Sequence, residues 1–222
     1  MNFNHDLIDL PILHRIDAED GRRYLTPDGN KYPSVTTVLG STSDKSGLDD
    51  WKARIGEEAA YQEMKRAGRR GTGMHDLCER YIRNQNIDLR REMPVPAQLF
   101  SQVRPKLKEH VNNVRGIELP LYSDYLKIAG TADLIAEWDG KLAIIDYKSS
   151  NKNKEASWIT DYWLQCSIYA ICFEERTGIP INKLVVLMGV EQSTKPLVFE
   201  STRKQWEGML LDRIKTFYKT NG

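Results

Sequence analysis

Two apolar runs separated by Asp139-Gly140 constrain this chain more than any other stretch. Ala132–Trp138 and Lys141–Lys148 are rich in Ile, Leu, Trp and Tyr. Asp-Gly favours a type I′ turn, in which both central residues take positive φ, so the stretch reads as a β-hairpin. A two-residue turn fixes the register: Trp138 faces Lys141, and Asp133 faces Asp146. Opposed Cβ atoms then lie about 4.5–5.5 Å apart on one face. Lys148, two residues beyond Asp146, shares that face. Two carboxylates and an ammonium therefore converge at the open end of the hairpin. Like charges directly opposite destabilise a sheet, and a divalent cation held by carboxylate oxygens removes the conflict. The alternative is a structural Asp–Lys pair at an exposed hairpin end. Against it, Ile135, Leu142 and Ile144 make one face apolar, and Leu134, Ala136, Ala143 and Ile145 the other. A sheet apolar on both faces is covered on both, which puts the charges in a cleft.

A length of 222 residues, 40% of them hydrophobic, suits one domain with a substantial core. The expectation is a single domain over 1–222, with 1–70 as an N-terminal helical and hairpin extension. No apolar run approaches the roughly 20 residues of a membrane span. Met1–Asp6 lacks the charged and apolar regions of a signal peptide. Cys78, Cys166 and Cys172 sit in apolar helix-like segments without zinc-site spacing, as reduced core residues do. The expected location is cytoplasmic (host cytoplasm for a phage-encoded chain), neither secreted nor in a membrane. A net charge of +1 requires any polyanion-binding surface to be local. Lys65-Arg66 with Arg69-Arg70, Arg90-Arg91, and Lys152 with Lys154 are the basic clusters, each equally readable as solvated surface.

In chain order, an irregular lead-in precedes a small hairpin around Thr26-Pro-Asp-Gly29. Ser34 caps a short helix that Gly40 ends. Helical spacing covers Leu48–Ala67, a break falls at Arg69–Gly73, and Thr72 caps a second helix over Met74–Arg83. On that helix His75 and Glu79 share one edge. A loop over 84–96 leads to a third helix, Pro96–Asn113. A strand from Glu118, with a turn at Ser123-Asp124, makes a meander with the central hairpin. After a polar loop, Ser157–Thr177 is apolar nearly all round and so a buried helix, ended by Gly178. Its Gln165 needs partners. Leu184–Val190 is an interior strand, and a last helix reaches Tyr218.

Gly130-Thr-Ala-Asp133 followed by Asp146-Tyr-Lys148 resembles the signature of the PD-(D/E)XK nucleases in its RecB-like form, with Thr-Ala where the signature has Pro before the first Asp. His75 after Gly71-Thr-Gly73 is similar to that branch's G-x-x-x-H motif, and Gln165-x-x-x-Tyr169 to its Q-x-x-x-Y motif. Tyr32-Pro-Ser-Val-Thr-Thr-Val-Leu39 is similar to an N-terminal motif of the mitochondrial genome maintenance exonucleases and their phage relatives, where it lies near single-stranded DNA. The resemblance implies an α/β fold: a restriction-endonuclease-like αβββαβ core, with a mixed central sheet flanked by helices. It also implies metal-assisted phosphodiester hydrolysis. Asp133, Asp146 and Lys148 would be catalytic, and Mg²⁺ or Mn²⁺ would be held by His75, Asp133, Asp146 and the Tyr147 carbonyl. An imidazole ligand suits Mn²⁺ better than Mg²⁺. Glu79 and Glu118 would be accessory acids; Ser34, Thr36, Arg70, Gln165 and Tyr169 would contact DNA. Structural readings stand beside several of these: a capped helix for Ser34, a core hydrogen bond for Gln165, an exposed edge-strand acid for Glu118. The expected activity is an exonuclease acting on single-stranded DNA ends in replication, recombination or repair. A structure-specific endonuclease and a non-catalytic DNA-binding module are the alternatives. No P-loop occurs, so unwinding would need a helicase or recombination partner.

Overall fold

The computed structural model describes residues 2–19 and 21–221; Met1, Asp20 and Gly222 lie outside them. A small antiparallel sheet comes first, in the order β1 (His14–Ala18), β2 (Gly21–Leu25), β3 (Lys31–Pro33). The β2–β3 hairpin is the expected one, whereas β1 falls in the stretch that reads as irregular lead-in. Helix α1 (Val35–Thr42) starts at Ser34, whose hydroxyl accepts from the Thr37 N–H, and runs through Gly40.

The expected break at Arg69–Gly73 is absent. The chain turns instead at Gly56 (φ +86), between α2 (Ser46–Ile55) and a 26-residue helix α3 (Glu57–Ile82). Thr72 is therefore in mid-helix and caps nothing, and residue 70 lies inside α3. Glycine costs a helix about 1 kcal/mol relative to alanine, and close packing outweighs that cost here. A Cβ on Gly73 would lie 2.6 Å from Pro96 Cγ, on α4 (Pro94–His110). The third helix likewise stops short of Asn113, because Val111 pairs with Trp138 and begins β4 (Val111–Ser123).

β5 (Ile128–Trp138) and β6 (Lys141–Ser150) form the central hairpin, with Asp139 and Gly140 at φ +52 and +73. The ladder runs in the expected register from Trp138↔Lys141 to Leu134↔Ile145, then stops one pair short of Asp133 and Asp146. Helix α5 (Thr160–Thr177) crosses over to β7 (Lys183–Val190), which pairs parallel with β6; β8 (Leu197–Thr202) and α6 (Arg203–Asn221) follow. The result is a mixed five-stranded sheet in the order β4-β5-β6-β7-β8 with helices on both faces. Ile135, Ile144 and Val186 pack with α5, α1 and α6, while Leu134, Ala136, Ile145 and Leu187 pack with α3 and α4. This is the α/β architecture that the sequence predicts. All three cysteines are buried and unpaired. No helix among the described residues is long and apolar enough to cross a membrane.

Candidate active site

The site forms where the pairing of β5 with β6 ends. Asp133 does not face Asp146 across a ladder rung; its Oδ2 accepts the backbone N–H of Tyr147 at 2.8 Å. The carboxylate thus takes the place of a strand partner and is fixed to the backbone between Asp146 and Lys148. On the other side of β5, the ladder pairs Ile117 with Leu134 and Leu119 with Ala132, leaving Glu118 and Asp133 as neighbours between them. Glu118 has φ +47, a left-handed conformation inside a strand. A non-glycine residue there costs on the order of 1–3 kcal/mol and persists only where its surroundings impose it. That conformation turns Glu118 from the exposed edge expected of an outer strand into a half-buried position beside Asp133.

Helix α3 supplies His75. Its Nδ1 lies 3.5 Å from Asp133 Oδ1, and its ring meets Tyr147 edge to face at 5.7 Å. One ligand atom from each of His75, Glu118 and Asp133 lies within 4.8 Å of the other two. Asp146 stands just behind, only 1% exposed, ion-paired with Lys148 and accepting from Gln165 Nε2 at 2.9 Å. Lys148 Nζ also sits 4.9 Å from the Tyr162 ring centre. Gln165 donates further to the Tyr169 hydroxyl at 3.4 Å. Tyr169 in turn packs against Gly130, where a Cβ would lie 2.9 Å from Tyr169 Cε1 and 3.1 Å from Val35 Cγ2. The glycine preceding Asp133 is thereby explained by close approach rather than by φ.

Burial and close charged neighbours together set the charges. Burial would raise the Asp133 carboxyl, but His75, Lys148 and the Tyr147 N–H outweigh it and hold it below the ordinary carboxylate range. His75 is raised: burial opposes its charge, and Asp133 more than compensates. Burial, and then Asp133, pushes Glu118 up to about 7. Burial lifts Asp146 to about 6 against the pull of Lys148. Lys148 is raised despite burial, by Asp146 and Asp133, and is an ammonium at neutral pH. Buried carboxyls raised towards neutrality, chiefly by burial and then by a neighbouring carboxylate, fit a divalent cation, as does a donor set of hard oxygens with one imidazole. The compact side-chain group shares His75 and Asp133 with the expected ligand set and adds Glu118, whereas Asp146 is held by Lys148 and Gln165.

The cleft in front of this group extends two ways. Along α3 it is lined by Thr72, Asp76 and Glu79, the last paired with Arg83 at 2.9 Å. Towards the N-terminal sheet it is lined by Ser34, Thr36, Thr131, Gln165 and Tyr169, together with Arg15, Arg22 and Tyr24. Ser34 is buried, and its hydroxyl bonds with those of Thr36 and Thr37. Arg70 points elsewhere: it is 7% exposed and pairs with Glu191 at 2.8 Å. Sequence reasoning passed over Arg15 and Arg22. Only the fold of β1 against β2 brings them to the cleft, and the doubled basic residues at 22–23 were the one signal present.

Residues 95–214 match the family model described as PD-(D/E)XK nuclease superfamily. The chain is 32% identical over 133 residues to mitochondrial genome maintenance exonuclease 1 of Homo sapiens, covering 56% of this chain and 38% of that protein. Its Mus musculus counterpart is 30% identical over 146 residues, covering 62% and 43%. The matches thus span less than half the length of these curated relatives. A solved structure from Eubacterium rectale, of a protein assigned as an exonuclease, aligns over 69% of each chain at TM-score 0.44 and 10% identity, too distant a likeness to carry weight.

Proposed function

This chain belongs to the PD-(D/E)XK nuclease superfamily, and we propose that within it the chain is a metal-dependent DNA exonuclease that prefers single-stranded ends and serves replication, recombination or repair. The observation that carries this reading is the His75–Glu118–Asp133 group beside the Asp146–Lys148 pair, in one cleft. The similarity to two exonucleases supports the mode of attack. His75, Glu118, Asp133 and Asp146 would hold Mg²⁺ or Mn²⁺. Bound there, the ion supplies Lewis-acid stabilisation of phosphate charge and lowers the pKa of water.

The chain's own residues do the rest. Gln165 orients Asp146 through its amide N–H. The Tyr147 N–H fixes Asp133. Lys148, held as an ammonium, donates hydrogen bonds to the phosphate as negative charge builds on it, rather than abstracting a proton. Apolar packing on both faces of the sheet keeps bulk water from the buried side of the site.

End-labelled single-stranded, double-stranded and circular DNA, incubated with Mg²⁺, Mn²⁺ or EDTA beside Asp146→Ala, tests the proposal. Metal-dependent loss of linear single strands with circles spared is the expected result. Cut circles would replace the exonuclease with an endonuclease. Binding without cleavage under either metal would leave a non-catalytic module.

A further inference from the structure

We propose that Arg15 and Arg22, on the N-terminal sheet, form a phosphate-binding wall of the cleft and hold the nucleic-acid backbone opposite His75, Glu118 and Asp133. The inference rests on the nuclease reading and deepens it; the sheet lies outside the residues that match the family model. The register of β1 with β2 pairs Arg15 with Tyr24 and Asp17 with Arg22. Alternation along each strand then puts all four side chains on one face, and Arg15, Arg22 and Tyr24 line the cleft.

Two guanidinium groups share one carboxylate on that face. Asp17 takes hydrogen bonds from Arg15 Nε at 3.0 Å and Nη2 at 2.9 Å, while Arg22 Nε stays 3.7 Å away. Among the described residues, that buried Nε has no hydrogen-bond partner. Among the described residues, this part of the lining therefore carries surplus positive charge and an unused donor, and the same cleft is lined by Glu118 and Asp133. A phosphodiester strand in the cleft would place one phosphate on the guanidinium fork, while its neighbour would reach the acidic group through the divalent cation held there. Arg22 is also well anchored. Its carbonyl accepts from the Ser34 N–H at 2.8 Å and the Thr37 hydroxyl at 3.1 Å. Ser34 bridges to Ala129 on β5, the strand that carries Asp133. Asp17 is exposed and easily displaced by a stronger anion.

Anisotropy of a fluorescein-labelled oligothymidine, in EDTA across a salt series, reads phosphate contacts directly. Steady-state kcat and KM with Mn²⁺ accompany it. Arg22→Gln should weaken binding about tenfold and flatten the salt slope by roughly 0.7, the loss of one single-strand phosphate contact. KM should rise, with kcat within about twofold. Arg22→Lys should keep the slope but regain only part of the affinity, since an ammonium lacks the fork. Asp17→Asn should tighten binding, a sign that a bracing role would not give. Lys215→Gln, on an exposed face of α6, is the control and should change nothing. Wild-type binding with affinity and slope kept in both Arg22→Gln and Arg15→Gln overturns the inference and leaves the nuclease reading intact. Weaker binding by Asp17→Asn also overturns it, and Arg15→Gln with Asp17→Asn carry the test if Arg22→Gln fails to fold by circular dichroism. A wild-type chain that neither binds nor cleaves DNA removes the nuclease reading and this inference together.

Discussion

Lys148 and Gln165 act on the same carboxylate from different sides, and their loss should be distinguishable. Lys148→Gln removes the ammonium that, on the proposed function, faces the developing phosphate charge. Single-turnover cleavage should fall by roughly 10²–10³-fold, the usual effect of losing a transition-state donor. DNA affinity should stay within a few-fold, and cleavage at the wild-type rate would reject the assigned role. Gln165→Ala leaves buried Asp146 without its neutral donor, a cost of about 1–3 kcal/mol. It should lower both Tm and cleavage, with Gln165→Glu no better, because a carboxylate cannot donate. Glu118→Gln keeps the shape but removes one charge from the compact acidic group. Titration calorimetry should show Mn²⁺ binding at least tenfold weaker, and an unchanged affinity would return Glu118 to a structural role.

At the scale of elements, α3 matters most, because it carries His75 and is held to α4 at a glycine. Gly73→Ala gains about 1 kcal/mol of helix propensity but drives a methyl to within 2.6 Å of Pro96. Overpacking costs about 1–3 kcal/mol, so the net expectation is a lower Tm and a displaced His75. Gly68→Ala, one helical turn and a residue earlier, meets nothing within 4 Å and should raise Tm. Thermal melts of the two variants side by side check the contrast; equal stabilisation would mean that α3 and α4 do not pack as described. Gly73 also explains the misplaced break. Gly-Thr-Gly reads as an interruption because local propensity is all a sequence window offers, and the neighbour that rewards a missing side chain comes from a distant stretch.

For the whole molecule, the acidic site couples stability to pH. Glu118 is raised to about 7 and Asp146 to about 6, both above their unfolded values. Between the unfolded and folded pKa values, the native state binds more protons than the unfolded state, so stability falls as pH rises. Asp133, held low, pulls the other way, but at lower pH. In EDTA, Tm should therefore decline from about pH 5 to pH 7.5, and Glu118→Gln should shallow that decline. Mn²⁺ should reverse it, since the ionised carboxylates then have a cation to bind. A flat melting profile in EDTA would contradict the raised Glu118 and Asp146 carboxyls.

What the sequence determined by itself is whatever depends on short range. Asp139-Gly140 set the hairpin and its register, alternation announced a sheet covered on both faces, and the motifs singled out Asp133, Asp146, Lys148, His75 and Gln165, which the fold brings together. Tertiary structure decided how they meet. The ladder stops before Asp133 because its side chain binds the Tyr147 N–H. Glu118 enters the site through a left-handed residue in mid-strand, which no pattern of apolar residues encodes. Arg70 turns inward to Glu191, distant in the chain, while Arg15 and Arg22 reach the cleft only because a small sheet folds against α1 and β5. Each outcome is a contact between distant segments, whose energy appears only once both are in place.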